Sequence, residues 1–273
     1  MQIEIMVAHG RWLVKYSQII AKYALPHYLD VPFSMPIPAE IRTSFAEASQ
    51  LVQQSFVESG IQAGSQVTPD QLGEAIEQFL FVFDKLDREY GEKGALPYDD
   101  VSQMGDHAIG FVMDLAYWAE RLRLPKSKME LEKTALAVAH WVIRHDGELR
   151  TLEPLVNSLA ASANLTQDVP TLKAMCQVIG DVIEHAAPGI KSDLEKHDPT
   201  RPWRILNLNY AIVATRTQDR TLMEKAFDTI GRNLPEDCPA FFEQGLQQAQ
   251  KEVYGSEVRE LMQDYFKLWT TRH

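Results

Sequence analysis

The chain has 273 residues, 45% of them hydrophobic and 24% charged, which is typical of a globular protein with a substantial core. No apolar run approaches the roughly 18 residues of a membrane span, and Glu4, His9 and Arg11 interrupt the N-terminal region where a signal peptide would be apolar. The net charge of −11 disfavours nucleic acids and anionic membranes as partners, because like charges repel. Cys176 and Cys238 form no CxxC motif, so we expect a cytoplasmic protein with reduced thiols.

The negative charge is concentrated in the first half of the chain. Residues 1–125 carry 9 Lys/Arg against 17 Asp/Glu, and residues 126–273 carry 18 against 21. We therefore distinguish an N-terminal helical region, 1–125, from a C-terminal region, 126–273, which form either two domains or one continuous domain.

Helix signals begin at the N-terminus. Residues 3–24 and 40–59 have helical patterns, and the segment between them contains prolines that cannot lie inside a helix: Pro26, Pro32, Pro36 and Pro38. The pattern predicts two helices joined by an ordered connector.

The most complete helix signal spans residues 68–90. Thr68 is a predicted N-cap, Pro69 suits the first turn and Gln71 can complete a capping box. Gly91 follows as a stop signal. Between them runs an apolar stripe of one helical period: Leu72, Ile76, Phe79, Phe83 and Leu86.

The second half repeats these signals. Residues 131–143 are apolar on almost every side, which predicts a central helix. Further helices are predicted to begin where prolines suit a first turn: Pro154, Pro170, Pro202 and Pro239. No segment has a convincing strand pattern, so the chain is predicted to be all-α, with about ten to twelve helices.

Residues 203–235 resemble one tetratricopeptide repeat. Trp203, Leu206 and Tyr210 have the spacing of the first helix of that motif, and Phe227 and Pro235 suit its second helix and its end. The resemblance implies stacked antiparallel helix pairs, an α-α superhelix with a concave groove. An irregular helical bundle remains the alternative, because large apolar residues at steps of three and four occur in any packed helix.

The sequence contains no recognisable catalytic or metal-binding motif. His140 and His145 lie five positions apart, about 140° around a helix, and so do not share a face toward one ion. No Glu-x-x-His pair, G-x-S-x-G elbow or phosphate-binding glycine loop occurs. We therefore assign no catalytic residue, no metal and no cofactor from the sequence.

The segment 197–220 combines arginines, asparagines and aromatic residues in an otherwise acidic chain. Arg201, Arg204, Asn207 and Arg216 are the predicted partner-binding residues, since guanidinium groups on the side of the tetratricopeptide-like groove can clamp an acidic peptide. We expect truncation of Arg201 and Arg204 to leave stability nearly unchanged. The alternative is that these arginines pair with neighbouring acids.

Three functions remain open. The first is a protein-interaction scaffold that binds another protein or an acidic peptide. The second is an enzyme or small-ligand binder with an interhelical pocket lined by His140, His145, Trp141 and Tyr117. The third is a subunit of a homo-oligomer or larger complex, with aromatic residues as its contact surface: Phe241, Phe242, Phe266 and Trp269.

Overall fold

The computed structural model describes residues 37–91, 98–251 and 254–271 of the chain. These residues form eleven helices, and the only β-type pairing among them is an isolated parallel bridge between Leu149 and Ala186. The all-α prediction is therefore confirmed. The helices are α1 (Ala39–Ser59), α2 (Pro69–Tyr90), α3 (Tyr98–Arg121), α4 (Pro125–Arg144), α5 (Glu153–Leu165), α6 (Val169–His185), α7 (Pro188–Lys191), α8 (Pro202–Thr217), α9 (Arg220–Asn233), α10 (Cys238–Lys251) and α11 (Ser256–Thr270).

Helix boundaries follow the predicted signals closely. Helix α2 begins at Pro69, and Gln71 Oε1 accepts hydrogen bonds from the Thr68 N–H at 3.2 Å and the Thr68 hydroxyl at 2.9 Å. The other first-turn prolines lie at or next to the starts of α5, α6, α8 and α10. The predicted helix at 3–24 lies outside the described residues, as does most of the proline-rich connector.

The described residues divide into two compact units. The N-terminal unit contains residues 37–158 with the short segment 185–187, and the C-terminal unit contains residues 159–184 and 188–271, apart from the undescribed gaps. The boundary between the two units lies within α5. The reason is that α4, which begins at Pro125, packs against both α1 and α3.

The N-terminal unit is built around α4. Twelve of the twenty residues of this helix are buried, which agrees with the predicted central helix. Helices α3 and α4 approach closely at Gly105, where an added Cβ would lie only 2.1 Å from Val142 Cγ2. A glycine is needed there because any side chain would displace the neighbouring helix.

The C-terminal unit packs α8 against α9, and α11 against α9 and α10. Trp203, Leu206, Tyr210, Phe227 and Ile230 are each 4% exposed or less, so the large apolar side chains of α8 and α9 form part of the core. Among the described helices, none is long and apolar enough to cross a membrane.

Candidate functional site

Arg201, the first predicted partner-binding residue, lies just before α8 and is only 6% exposed. Its Nε donates to Asp193 Oδ1 at 2.5 Å and its NH2 to Asp193 Oδ2 at 2.8 Å. Its NH1 donates to the carbonyl oxygens of Lys196 and Asp198 at 3.2 and 2.9 Å. Every nitrogen of this guanidinium therefore has an acceptor inside the fold.

The other three predicted residues also make internal contacts. Arg204 donates to Asp237 Oδ1 at 2.7 Å and to the carbonyl of Pro199 at 3.0 Å. Asn207 is fully buried: it donates to the Trp203 carbonyl at 2.8 Å and accepts from Asn233 at 2.7 Å.

Arg216 is half-buried, and its guanidinium donates to the carbonyls of Ala163 and Thr166. The structure thus gives all four residues an internal role in the C-terminal unit. Their binding to an acidic partner stays a prediction.

A different surface is both apolar and exposed. On α2, the side that faces away from the core carries Phe81 and Val82, which are 62% and 37% exposed. They line a shallow, open hollow on the surface together with Glu74, Glu77 and Gln78. We call these five residues the α2 face.

The α2 face exists because helix α2 has two well-separated sides. Leu72, Ile76, Leu80 and Phe83 are each 2% exposed or less and fasten the helix to the unit. Phe81 and Val82 lie one or two positions from Leu80 and Phe83, about 100–200° around the helix, and so point away from this buried side. The apolar pair at 81 and 82 is therefore extra to the stripe that holds the helix in place.

A second notable feature is a buried polar cluster where α2 meets the end of α4. Asp87 Oδ1 accepts from Trp141 Nε1 at 3.0 Å and lies 2.9 Å from His145 Nε2, while Asp87 Oδ2 accepts from Arg144 NH2 at 2.9 Å. Phe83 stacks on Trp141 with ring centroids 4.1 Å apart. We call Asp87, Trp141, Arg144 and His145, with the adjacent His140, the Asp87 cluster.

The Asp87 cluster contains three of the four residues that the sequence suggested as a pocket lining. The fourth, Tyr117, is 51% exposed on α3 and carries Arg121 over its ring at 5.9 Å. The pKa of His140 is lowered to about 4, first by burial and then by the charge of Arg144. His140 is therefore neutral at physiological pH.

A buried carboxyl lies elsewhere in the same unit. Glu132 on α4 is 9% exposed and accepts a hydrogen bond from Asn157 at 3.4 Å. Burial raises its pKa to about 7, against the opposing effect of Lys128, while Glu120 and Glu153 add smaller upward contributions. The pKa of this carboxyl therefore lies near physiological pH.

The two thiols are poor candidates for nucleophilic chemistry. Cys176 and Cys238 are both buried, and burial raises the pKa of each to about 12. Since the thiolate is the reactive form, neither thiol is activated. In the part of the chain that the structure describes, no group of three or more His, Cys, Asp or Glu side chains is arranged to hold a metal ion.

The aromatic residues suggested as an oligomer surface belong mainly to a local cluster. Phe242 is fully buried, with its ring centroid 5.1 Å from that of Phe227 and 5.3 Å from that of Tyr265. Phe241, Phe266 and Trp269 are half-buried.

Sequence reasoning missed the α2 face and the role of Asp87. Phe81 and Val82 fall outside the apolar stripe of residues 68–90, which was a readable signal of exposure. The role of Asp87 had no such signal, because its partners Trp141, Arg144 and His145 are more than fifty positions away along the chain.

Comparison with known proteins adds no family: no family model, curated protein or solved structure matches the chain.

Proposed function

We propose that this protein is an interaction scaffold that uses the α2 face to bind a partner segment with one apolar anchor and flanking basic side chains. The observation that carries the proposal is the exposed Phe81–Val82 pair beside the acidic Glu74 and Glu77. Helix α2 needs neither apolar residue for its own packing. An aromatic residue at a hollow is the usual centre of an interface.

The charge of the α2 face selects the partner. Glu74 and Glu77 are exposed and lie one helical turn apart, at the N-terminal side of Phe81. Lysine or arginine side chains on a partner helix can pair with them while an apolar side chain enters the hollow. The net charge of −11 attracts such a partner from a distance and opposes pairing of two copies through the same acidic face.

Three matched synthetic peptides test the proposal. Each is an 18-residue amphipathic helix with identical apolar positions, and its polar positions are Lys, Gln or Glu. Binding is measured by calorimetry at two salt concentrations. We expect the Lys peptide to bind most tightly and the Glu peptide least, with a preference that weakens at high salt.

Variants of the full chain assign the binding to the α2 face. Phe81→Ala should raise the Kd of the Lys peptide roughly 30-fold, which corresponds to loss of about 2 kcal/mol from an interface anchor. The control is Leu194→Ala, which removes an apolar side chain that is 85% exposed in the other unit. This control should bind the peptide as the unmodified chain does.

A charge-matched pair of variants separates local from general attraction. Glu74→Gln with Glu77→Gln removes two charges from the α2 face, and Glu257→Gln with Glu260→Gln removes two exposed charges at the same spacing from α11. Only the double variant on the α2 face should weaken the preference for the Lys peptide over the Gln and Glu peptides. Equal effects of the two double variants, or equal binding of all three peptides, would contradict the proposal. So would dimerisation of the unmodified chain, seen in sedimentation and abolished by Phe81→Ala.

A further inference from the structure

Two buried arginines, Arg201 and Arg144, differ in how many of their guanidinium nitrogens have a hydrogen-bond acceptor. The side chain of Arg201 is 7% exposed and each of its three guanidinium nitrogens has an acceptor. The side chain of Arg144 is 4% exposed, yet only its NH2 is hydrogen-bonded, to Asp87. Its Nε and NH1 are buried and have no acceptor in the described part of the chain.

Unsatisfied N–H groups on a buried cation are costly. A buried donor without an acceptor destabilises a fold, more so when the group is charged, and native structures almost always supply a partner. Asp87 is not that partner, because Arg144 reaches it only through NH2, which donates to Asp87 Oδ2. The remaining donors of Arg144 therefore point to a bound acceptor.

We propose that Arg144 binds a small carboxylate monoanion through its free Nε or NH1 donors, within the Asp87 cluster. A carboxylate is the acceptor that guanidinium donors match best. Arg144 and Asp87 already balance each other, so a monoanionic ligand adds one negative charge to this buried ion pair. A phosphate dianion would add two, at a much larger desolvation cost.

The surroundings limit the ligand further. Trp141 is fully buried and Phe83 covers its ring. A carboxylate with a short hydrocarbon tail suits this aromatic environment, whereas a polyhydroxylated or highly charged acid does not. The proposal involves other residues than the α2 face and does not depend on the function proposed above.

Thermal unfolding of the full chain in sodium acetate, compared with sodium chloride at equal ionic strength, tests the site. Binding to the folded state should give a saturable rise in Tm of roughly 2–4 °C when acetate is about five-fold above its Kd. Propionate should act similarly, and phosphate should give a smaller rise. No rise specific to carboxylates would overturn the proposal.

Arg144→Lys tests whether the Nε and NH1 donors of Arg144 bind the carboxylate. Lysine keeps a positive charge near Asp87 but lacks the guanidinium Nε and NH1 groups, so the acetate effect should disappear. Arg201→Lys is the matched control: it alters an equally buried arginine whose donors are already occupied, and the acetate effect should remain. An unchanged acetate effect in Arg144→Lys would refute the assignment to Arg144.

A second readout needs no variant. Because the charge of Arg144 lowers the pKa of His140, a carboxylate bound to Arg144 should partly cancel that charge and raise the pKa of His140 from about 4. The histidine ring signals are followed by NMR from about pH 5 upward, where acetate is ionised, with and without saturating acetate, to see whether protonation of His140 begins at a higher pH. An identical His140 titration in both conditions would rule out the carboxylate beside Arg144.

Discussion

Arg201 shows how burial changes the consequence of a substitution. The sequence predicted that truncating Arg201 would leave stability nearly unchanged, as is usual for a surface ion pair. The structure pairs it with Asp193, whose side chain is 6% exposed, so removal of the arginine leaves a buried carboxylate without its cation.

We therefore expect Arg201→Ala to lower the free energy of unfolding by about 3–5 kcal/mol. Lys196→Ala, which removes an exposed pair with Glu236, should cost about 0–1 kcal/mol. Urea unfolding followed by circular dichroism measures both. Equal small losses would show that the buried geometry of Arg201 is not present in solution.

Glu132 makes a prediction about pH. Its folded-state pKa of about 7 exceeds the ordinary value of 4.5, so the folded chain holds a proton that the unfolded chain releases. The contribution of Glu132 to stability is complete below pH 4.5, declines as the pH rises, and is lost above pH 7. The difference amounts to about 3 kcal/mol.

Glu132→Gln should remove this part of the pH dependence, because glutamine stays neutral and can keep a hydrogen bond to Asn157. We expect the variant to gain stability relative to the unmodified chain between pH 4.5 and 7 and to remain more stable at pH 8. Denaturant unfolding at several pH values checks this. Parallel pH profiles for the two proteins would mean that Glu132 does not retain its proton in the fold.

Helix α8 illustrates what periodicity predicts at the scale of an element. Its inward stripe was expected, and the structure buries it. The opposite side was expected to face a groove, yet thirteen of its sixteen residues are buried. Asn207 and Asn209 are also buried, which shows that the helix is packed on several sides. Asn207 can be buried because its amide group is hydrogen-bonded.

Trp203 is the largest buried side chain of α8, 4% exposed, and provides the test of this packing. Trp203→Ala should destabilise the protein by roughly 3–5 kcal/mol, because the surrounding helices cannot fully close the cavity. Chemical unfolding measures the loss, and Trp203→Phe should show a smaller one. A change within experimental scatter for the alanine variant would place Trp203 at the surface.

At the scale of the whole molecule, the net charge can be read from the sequence, whereas the division into two units depends on tertiary contacts. The net charge of −11 follows from composition, and it opposes binding to nucleic acids and anionic membranes. The division into units does not follow from composition. Its boundary within α5 depends on which helices α4 contacts, and a charge difference between the two halves of the sequence carries no record of those contacts.

The sequence by itself determined the helices and their inward sides. Capping residues, first-turn prolines and apolar stripes act within one or two turns, so the local physics of residues such as Thr68, Pro69 and Gln71 is complete in the sequence. The all-α class followed from these signals. The resemblance of residues 203–235 to a tetratricopeptide unit stays a prediction about stacking.

Only the tertiary structure decided which groups the polar side chains pair with. An arginine has the same local signature whether it meets a partner, a neighbouring acid or nothing. Arg201 pairs with Asp193, eight positions earlier in the chain. Arg144 pairs with Asp87 on a helix 57 positions away, and its Nε and NH1 donors have no acceptor in the described part of the chain. Pairing and desolvation depend on residues brought together by folding, and this is why the structure, and not the sequence, distinguishes an internal ion pair from a candidate site.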